Sequence, residues 1–245
     1  MRWRCECRYD GTDFCGWQSQ PNGRAIQDFI EARLAVIFGI PIRIHGSGRT
    51  DAGVHAHGQV FHFDALWSHG ADKLLRAFRC GLPAGIQMTR VEEVDPSFHA
   101  RFSARKKRYI YQIYLGQASP FERRYKWSIG DRAIDLSAMN ALGRYFLGEH
   151  NFSAFGARHG DSSAENPEKI LYQLSFSRRD RDLQLETEGS GYLYKMVRTL
   201  AATLLDVGLS RIDGGYVLDC FYKKIRREKI TTAPPHGLFL DKVYY

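Results

Sequence analysis

Asp51 lies in the run Gly48-Arg49-Thr50-Asp51-Ala52-Gly53-Val54-His55-Ala56, a carboxylate flanked by small residues with an arginine two positions before it. A carboxylate that small neighbours leave accessible, close to a cation, can act as a nucleophile or stabilise charge that develops during a reaction. The same residue types also build turns for backbone reasons alone, since Asp bonds to nearby main chain and Gly accepts a positive φ. Local chemistry thus leaves two readings, a catalytic carboxylate and a plain turn.

The rest of the chain narrows what such a carboxylate could work on. Lys and Arg number 35 against 27 acids, a net charge of +8 over 245 residues, and an excess of that sign favours an anionic partner, nucleic acid first. Basic clusters recur at Arg105-Lys106-Lys107-Arg108, at Arg123-Arg124 with Lys126, and at Lys223-Lys224 with Arg226-Arg227; cations of this kind hold phosphates without reading sequence. There is no dinucleotide fingerprint, P-loop or metal-ligand signature, so neither cofactor nor metal is expected. Five cysteines without a Cys-x-x-Cys pair read as reduced thiols. The polar start Met1-Arg2-Trp3-Arg4 and the lack of a long apolar run lead to the expectation of a cytoplasmic protein with no membrane segment.

Four further blocks combine unusual residue types: Tyr9-Asp10-Gly11-Thr12 with Gly16-Trp17-Gln18; Ser97-Phe98-His99-Ala100-Arg101-Phe102-Ser103-Ala104 followed by Lys107-Arg108-Tyr109; Lys195-Met196-Val197-Arg198; and Ala233-Pro234-Pro235-His236-Gly237-Leu238. With Ser47 to Ala56 they resemble, in order and over nearly the whole chain, the motifs of the tRNA pseudouridine synthase A family. The resemblance implies an isomerase that turns uridine into pseudouridine at positions 38 to 40 in the anticodon stem-loop of tRNA, working as a homodimer without any small-molecule cofactor. It makes Asp51 the residue that attacks the target uridine. Arg198 becomes the cation that keeps Asp51 ionised, and Tyr109 the active-site tyrosine, its ring stacked on the extruded uracil and its hydroxyl helping to remove the C5 proton. Leu238 becomes an apolar wall on the other side of the base, and Arg49 a contact to the flipped nucleotide's phosphate or to the position it vacates. Attack at the base, attack at the sugar and abstraction of a sugar proton all remain open for the carboxylate. The stretch Gly156 to Glu165 and the sequence before Lys106 depart from the family's forms.

Each assignment has a plainer counterpart. Tyr109, Tyr111 and Ile113 share one strand face, so Tyr109 also reads as a core residue; Leu238 reads equally as a core strand residue, Arg198 as a solvated helix arginine and Arg49 as a surface cation. Two rival functions follow from the same residues. His55, His57, His62 and Asp64 raise a metal-dependent hydrolase, set aside because a strand over 58 to 64 begins after His57 and the histidines do not converge. Charge and aromatics raise a non-catalytic RNA-binding protein, which leaves Arg49-Thr50-Asp51 unexplained.

The elements that must position these groups follow from periodicity. The first half reads as strand 2 to 9, helix 24 to 38 with the stripe Ile26, Phe29, Ile30, Leu34 and Ile37 and a stop at Gly39, strands 42 to 45 and 58 to 64, a helix opened by Asp72 and stopped by Gly81, and strand 86 to 94. The second reads as strand 108 to 115, helix 136 to 147 between Asp135 and Gly148, strands 170 to 177 and 182 to 188, helix 192 to 207 ended by Gly208, a basic helix near 215 to 228, and strand 238 to 244. Two βαββαβ patterns predict an α+β protein of two ferredoxin-like halves, 1–103 and 104–245; the resemblance implies that these form a pseudouridine synthase fold with a central active-site cleft. Asp51 falls in the first half and Tyr109 and Arg198 in the second.

Overall fold

The computed structural model describes residues 1–157 and 166–245; most of the divergent stretch Gly156 to Glu165 lies outside the described residues. The chain forms two compact units, Met1–Arg105 together with Phe239–Tyr245, and Lys106–Leu238.

The first unit opens with β1 (Arg2–Tyr9), followed by α1 (Ile26–Phe38), β2 (His45–Gly46), β3 (His55–Asp64), α2 (Ala71–Arg79) and β4 (Ile86–Val94). Trp3, Cys5, Cys7 and Tyr9 are all buried, the period of two that puts alternate side chains on one face of a strand. β1 runs antiparallel between β3 and β4. On α1, Ile26, Ile30 and Leu34 recur every fourth residue and are fully buried, while Phe29 and Ile37 flank that stripe half-buried. Gly39 ends the helix at φ 73 and donates its N–H to Ala35 O, a left-handed cap that only glycine adopts freely.

The second unit contains β5 (Lys106–Tyr114), β6 (Trp127–Ser128), α3 (Leu136–Gly143), β7 (Gly148–Asn151), β8 (Glu168–Arg179), β9 (Asp182–Gly189), α4 (Met196–Gly208) and α5 (Gly214–Lys223). β9 pairs antiparallel with β5 on one side and β8 on the other, and β7 extends the order beyond β8. The final strand, β10 (Leu238–Tyr244), pairs parallel with β3 through Phe239↔His55 and Leu240↔Ala56. The fold is α+β with mostly antiparallel pairing.

Several boundaries differ from the sequence pattern. The expected strand 42 to 45 shrinks to the two residues of β2, and β3 starts at His55, because the parallel partner β10 extends pairing to its first residues. α2 starts after Gly70, with Asp72 in its first turn. The helix expected to run to 147 breaks at Gly143 into a 3-10 turn (Arg144–Phe146), since Gly148 at φ 93 already begins β7. α4 begins four residues later than expected, because Lys195 takes a left-handed φ of 61. α5 stops at Lys223 when Lys224 turns left-handed. Strand 238 to 244, which the pattern assigns to the second half, clusters from Phe239 onward with the first unit. Among the described residues, no helix is long and apolar enough to cross a membrane.

Candidate active site

In the first unit, the block 9–17 is spent on holding the Asp51 turn. Val54 N–H donates to Asp51 O at 3.1 Å and Gly53 takes φ +77, the third-position geometry for which a turn demands glycine. The turn that the residue types favour is therefore present, and it carries a half-buried Asp51. Trp17 N–H donates to Thr50 O at 3.0 Å, and the buried Tyr9 hydroxyl lies 2.8 Å from Thr50 Oγ1. On the far side of the turn, Gly11 N–H donates to His55 Nδ1 at 3.0 Å, with Asp10 Oδ1 3.2 Å from the same nitrogen. At Gly16, with φ +83, an added Cβ would stand 2.6 Å from Thr50 O. Below the turn, Gln59 accepts from Ser47 Oγ at 2.7 Å and donates to Gly48 O at 3.0 Å. The loop is thus pinned on both sides of Asp51, through the Gly48 and Thr50 carbonyls before it and through the His55 ring after it. Arg49 projects into solvent and has no ion-pair partner among the described residues.

In the second unit, Tyr109 is buried on β5 with Tyr111 and Ile113, opposite Thr187 of β9. The Tyr192 ring packs edge-on against it at 5.0 Å, and the Tyr192 hydroxyl reaches Thr187 Oγ1 at 3.2 Å. Burial pushes the Tyr111 and Tyr192 phenols well above their ordinary range, so both remain neutral donors. Tyr111 donates to Pro234 O at 2.7 Å. Arg198, half-buried on α4, donates through Nε to Ala233 O at 2.8 Å and accepts Ala233 N–H on its own carbonyl at 3.2 Å. The turn 233–237 is therefore tied to both α4 and β5. Gly237 is required there, because an added Cβ would meet Gln112 O at 2.7 Å and the Tyr111 ring at 2.9 Å. His236 is held below the usual histidine range, first by burial and then by the Arg198 charge. Leu238, next in the chain, is buried.

The structure brings Arg198 into the neighbourhood of Tyr111, His236 and the turn leading to Leu238, and puts Tyr109 two residues along the same strand face. Sequence reading missed the supporting groups Tyr9, Thr50, Tyr111 and Tyr192; their only signal was membership in, or closeness to, the motif blocks.

The basic clusters are partly consumed by local pairing. Lys106 pairs with Glu188, Lys126 with Glu122 and Asp182, and Lys223 and Arg227 with Asp219. Arg105, Arg123 and Lys224 are exposed without such partners among the described residues.

The histidines raised for a metal site lie apart, but the reason differs from the one expected. His55 and His57 are both inside β3, and each stacks on Phe239, at 4.7 and 4.8 Å. His62 instead packs on His45 at 5.1 Å and His99 at 4.6 Å. The two groups lie at different places along the strand, each packed on its own partners. Among the described residues, no three His, Cys, Asp or Glu side chains are arranged to hold a metal ion.

A family model described as tRNA pseudouridine synthase matches residues 7–103 and 143–245. The chain is similar to tRNA pseudouridine synthase A 1 of Protochlamydia amoebophila, 40% identical over 240 residues that cover 97% of this chain and 93% of that protein. It is 39% identical to tRNA pseudouridine synthase A of Bacillus subtilis over 248 residues, covering 100% and 99%. With tRNA pseudouridine synthase A of Latilactobacillus sakei it shares 39% over 249 residues, covering 100% and 99%. By family the protein is an isomerase that acts on tRNA. The chain belongs to the tRNA pseudouridine synthases.

Proposed function

We propose that this chain converts uridine to pseudouridine at positions 38 to 40 in the anticodon stem-loop of tRNA, with Asp51 as the nucleophile. The reaction breaks the bond from uracil N1 to ribose C1′, turns the freed base, joins C5 to C1′, loses the C5 proton and gains one at N1, and any bond that Asp51 forms on the way is broken before release; atoms and electrons then balance with nothing supplied from outside. A paired uracil is inaccessible, so the nucleotide must leave its stack. Arg49, an exposed cation beside the nucleophile, is suited to the displaced phosphate or the vacated position. Arg198 supplies the guanidinium that keeps the Asp51 carboxyl ionised, Tyr109 stacks on the base and assists C5 proton removal, and Leu238 is the apolar wall opposite. In this reading the two units are the ferredoxin-like halves of a pseudouridine synthase fold, serving one uridine. The protein works as a cytoplasmic homodimer.

The observation that supports Asp51 best is the investment around it. Tyr9, Gly11, Gly16, Trp17 and Gln59 hold the turn from both sides, against Gly48 and Thr50 before Asp51 and the His55 ring after it, as expected where a reacting group must be preorganised. The test compares wild type with Asp51→Asn and Asp51→Ala on an unmodified tRNA transcript, with pseudouridine mapped by position. Both variants should bind tRNA, since phosphate contacts supply most affinity, and form no pseudouridine. Substantial turnover by Asp51→Ala overturns the assignment.

A further inference from the structure

The turn 99–103 is tied down at almost every backbone group, yet the aromatic ring it carries faces water. His99 N–H donates to Ser103 Oγ at 2.9 Å and Ser103 N–H to His99 O at 2.9 Å. The His99 ring nitrogen Nδ1 accepts from Arg101 N–H at 3.1 Å and Phe102 N–H at 3.3 Å. Ala100 donates to His62 Nδ1 at 3.1 Å and accepts from the Tyr245 hydroxyl at 2.7 Å. In spite of this, the Phe102 side chain is 77% exposed, steadied by the His99 ring at 4.3 Å. The Arg101 guanidinium stands 5.8 Å from the Phe102 ring centroid. Arg101 and Arg105 are both exposed, with no carboxylate partner among the described residues.

A single apolar ring in water is ordinary by itself, but this one stands on a firmly bonded backbone beside an unneutralised cation, Arg101, with exposed Arg105 three residues after Phe102 in the chain. Cations of that kind select an anionic partner, and an aromatic face beside them suits a nucleobase with its phosphates, because every base can stack on a ring. Phe121 is also exposed, but the hydrogen bonds that fix its loop end on an acid, Glu122. We propose that Phe102, Arg101 and Arg105 form a docking platform for an unpaired nucleotide of the tRNA, the base stacking on Phe102 and its flanking phosphates meeting the two arginines. The platform rests on tRNA being the substrate, and its Arg101 and Phe102 lie in the block 97–104, to which the reading of Asp51 assigns no role.

Affinity for an unmodified tRNA transcript and for a fully paired RNA duplex, measured across a salt series, tests the platform with wild type, Phe102→Leu, Phe102→Trp and Arg101→Gln. Phe102→Leu should weaken tRNA binding about tenfold with the salt slope unchanged, Phe102→Trp should bind at least as tightly as wild type, and neither should alter duplex binding. Arg101→Gln should reduce the salt slope by about one. Equal binding by Phe102→Leu and wild type, an equal loss on the paired duplex, or a change in sedimentation that makes Phe102 a contact between copies of this chain each overturns the platform. Wild type that modifies tRNA while Phe102→Leu binds unchanged sinks the platform alone and leaves the Asp51 assignment standing. Because Phe102 supports no core packing, both substitutions keep the fold, which matching thermal melts verify.

Discussion

Acid should weaken this protein well before its carboxylates protonate, and His62 is the reason. The ring is 2% exposed, accepts Ala100 N–H on Nδ1 and packs on His45 and His99. Burial first, then the neighbouring His99, Arg2 and His45, hold it down to about 4 from 6.5, with Asp64 opposing weakly. An unfolded chain takes up the proton near 6.5 while the folded chain refuses it until about 4, so stability is full above that window and falls as pH drops through it. Complete passage through the window corresponds to roughly 3 kcal/mol, and at pH 5 about 2 kcal/mol is already lost. His62→Asn keeps an acceptor for Ala100 N–H and cannot titrate. Urea unfolding at pH 7.5 and pH 5 should show wild type losing about 2 kcal/mol more than His62→Asn between the two conditions. The comparison is of losses, because the variant starts weaker for want of ring contacts. The carboxylates of Asp64 and Asp95 are themselves held below their usual range by Arg2 and Ser97 respectively, so they do not titrate in this interval. Equal losses in the two proteins would refute the reasoning.

Gly16→Ala forces a side chain into φ +83 and against Thr50 O, which should cost about 3 kcal/mol and lower kcat more than tRNA affinity as the Asp51 turn shifts; a wild-type melting temperature would contradict it. If Arg198 serves the reacting uridine, Arg198→Met at saturating tRNA should lower kcat while tRNA affinity stays near that of wild type; an unchanged kcat would remove Arg198 from the site. Chelation with EDTA, under monovalent salt that keeps the tRNA folded, should leave turnover unchanged, since the isomerisation needs no Lewis acid; activity restored only by a divalent ion would count against that mechanism.

Long amphipathic elements were legible because packing obeyed the periodicity that sequence displays. Ile26, Ile30 and Leu34 could be read directly as the buried face of α1, and Asp135 as the cap of α3, where its carboxylate accepts Ala138 N–H at 2.8 Å. What could not be read was set by partners distant in sequence. β3 begins at His55 through pairing with Phe239 of β10, joined at Ala56 by Tyr9 of β1, and α4 loses its expected first turn to a left-handed Lys195, an angle that residue type argues against. At the site, Asp51 and Gly53 were visible as chemistry and turn, whereas the Tyr9–Thr50 contact spans 41 residues and Tyr111–Pro234 spans 123. Neither leaves a local signature.

The pairing of Phe239 with His55 has a consequence for biosynthesis. β3 follows directly on the Asp51 turn, and it leaves the ribosome long before β10, so the nascent chain carries an unsatisfied strand edge throughout translation of Lys106–Leu238. That intervening unit pays its own loop-closure entropy, since its last turn returns to β5 at Tyr111 and Gln112. The strand that follows Asp51 is completed only when Phe239–Tyr245 arrive, and arrested chains ending before Phe239 should be cut by protease near His55 while longer chains resist.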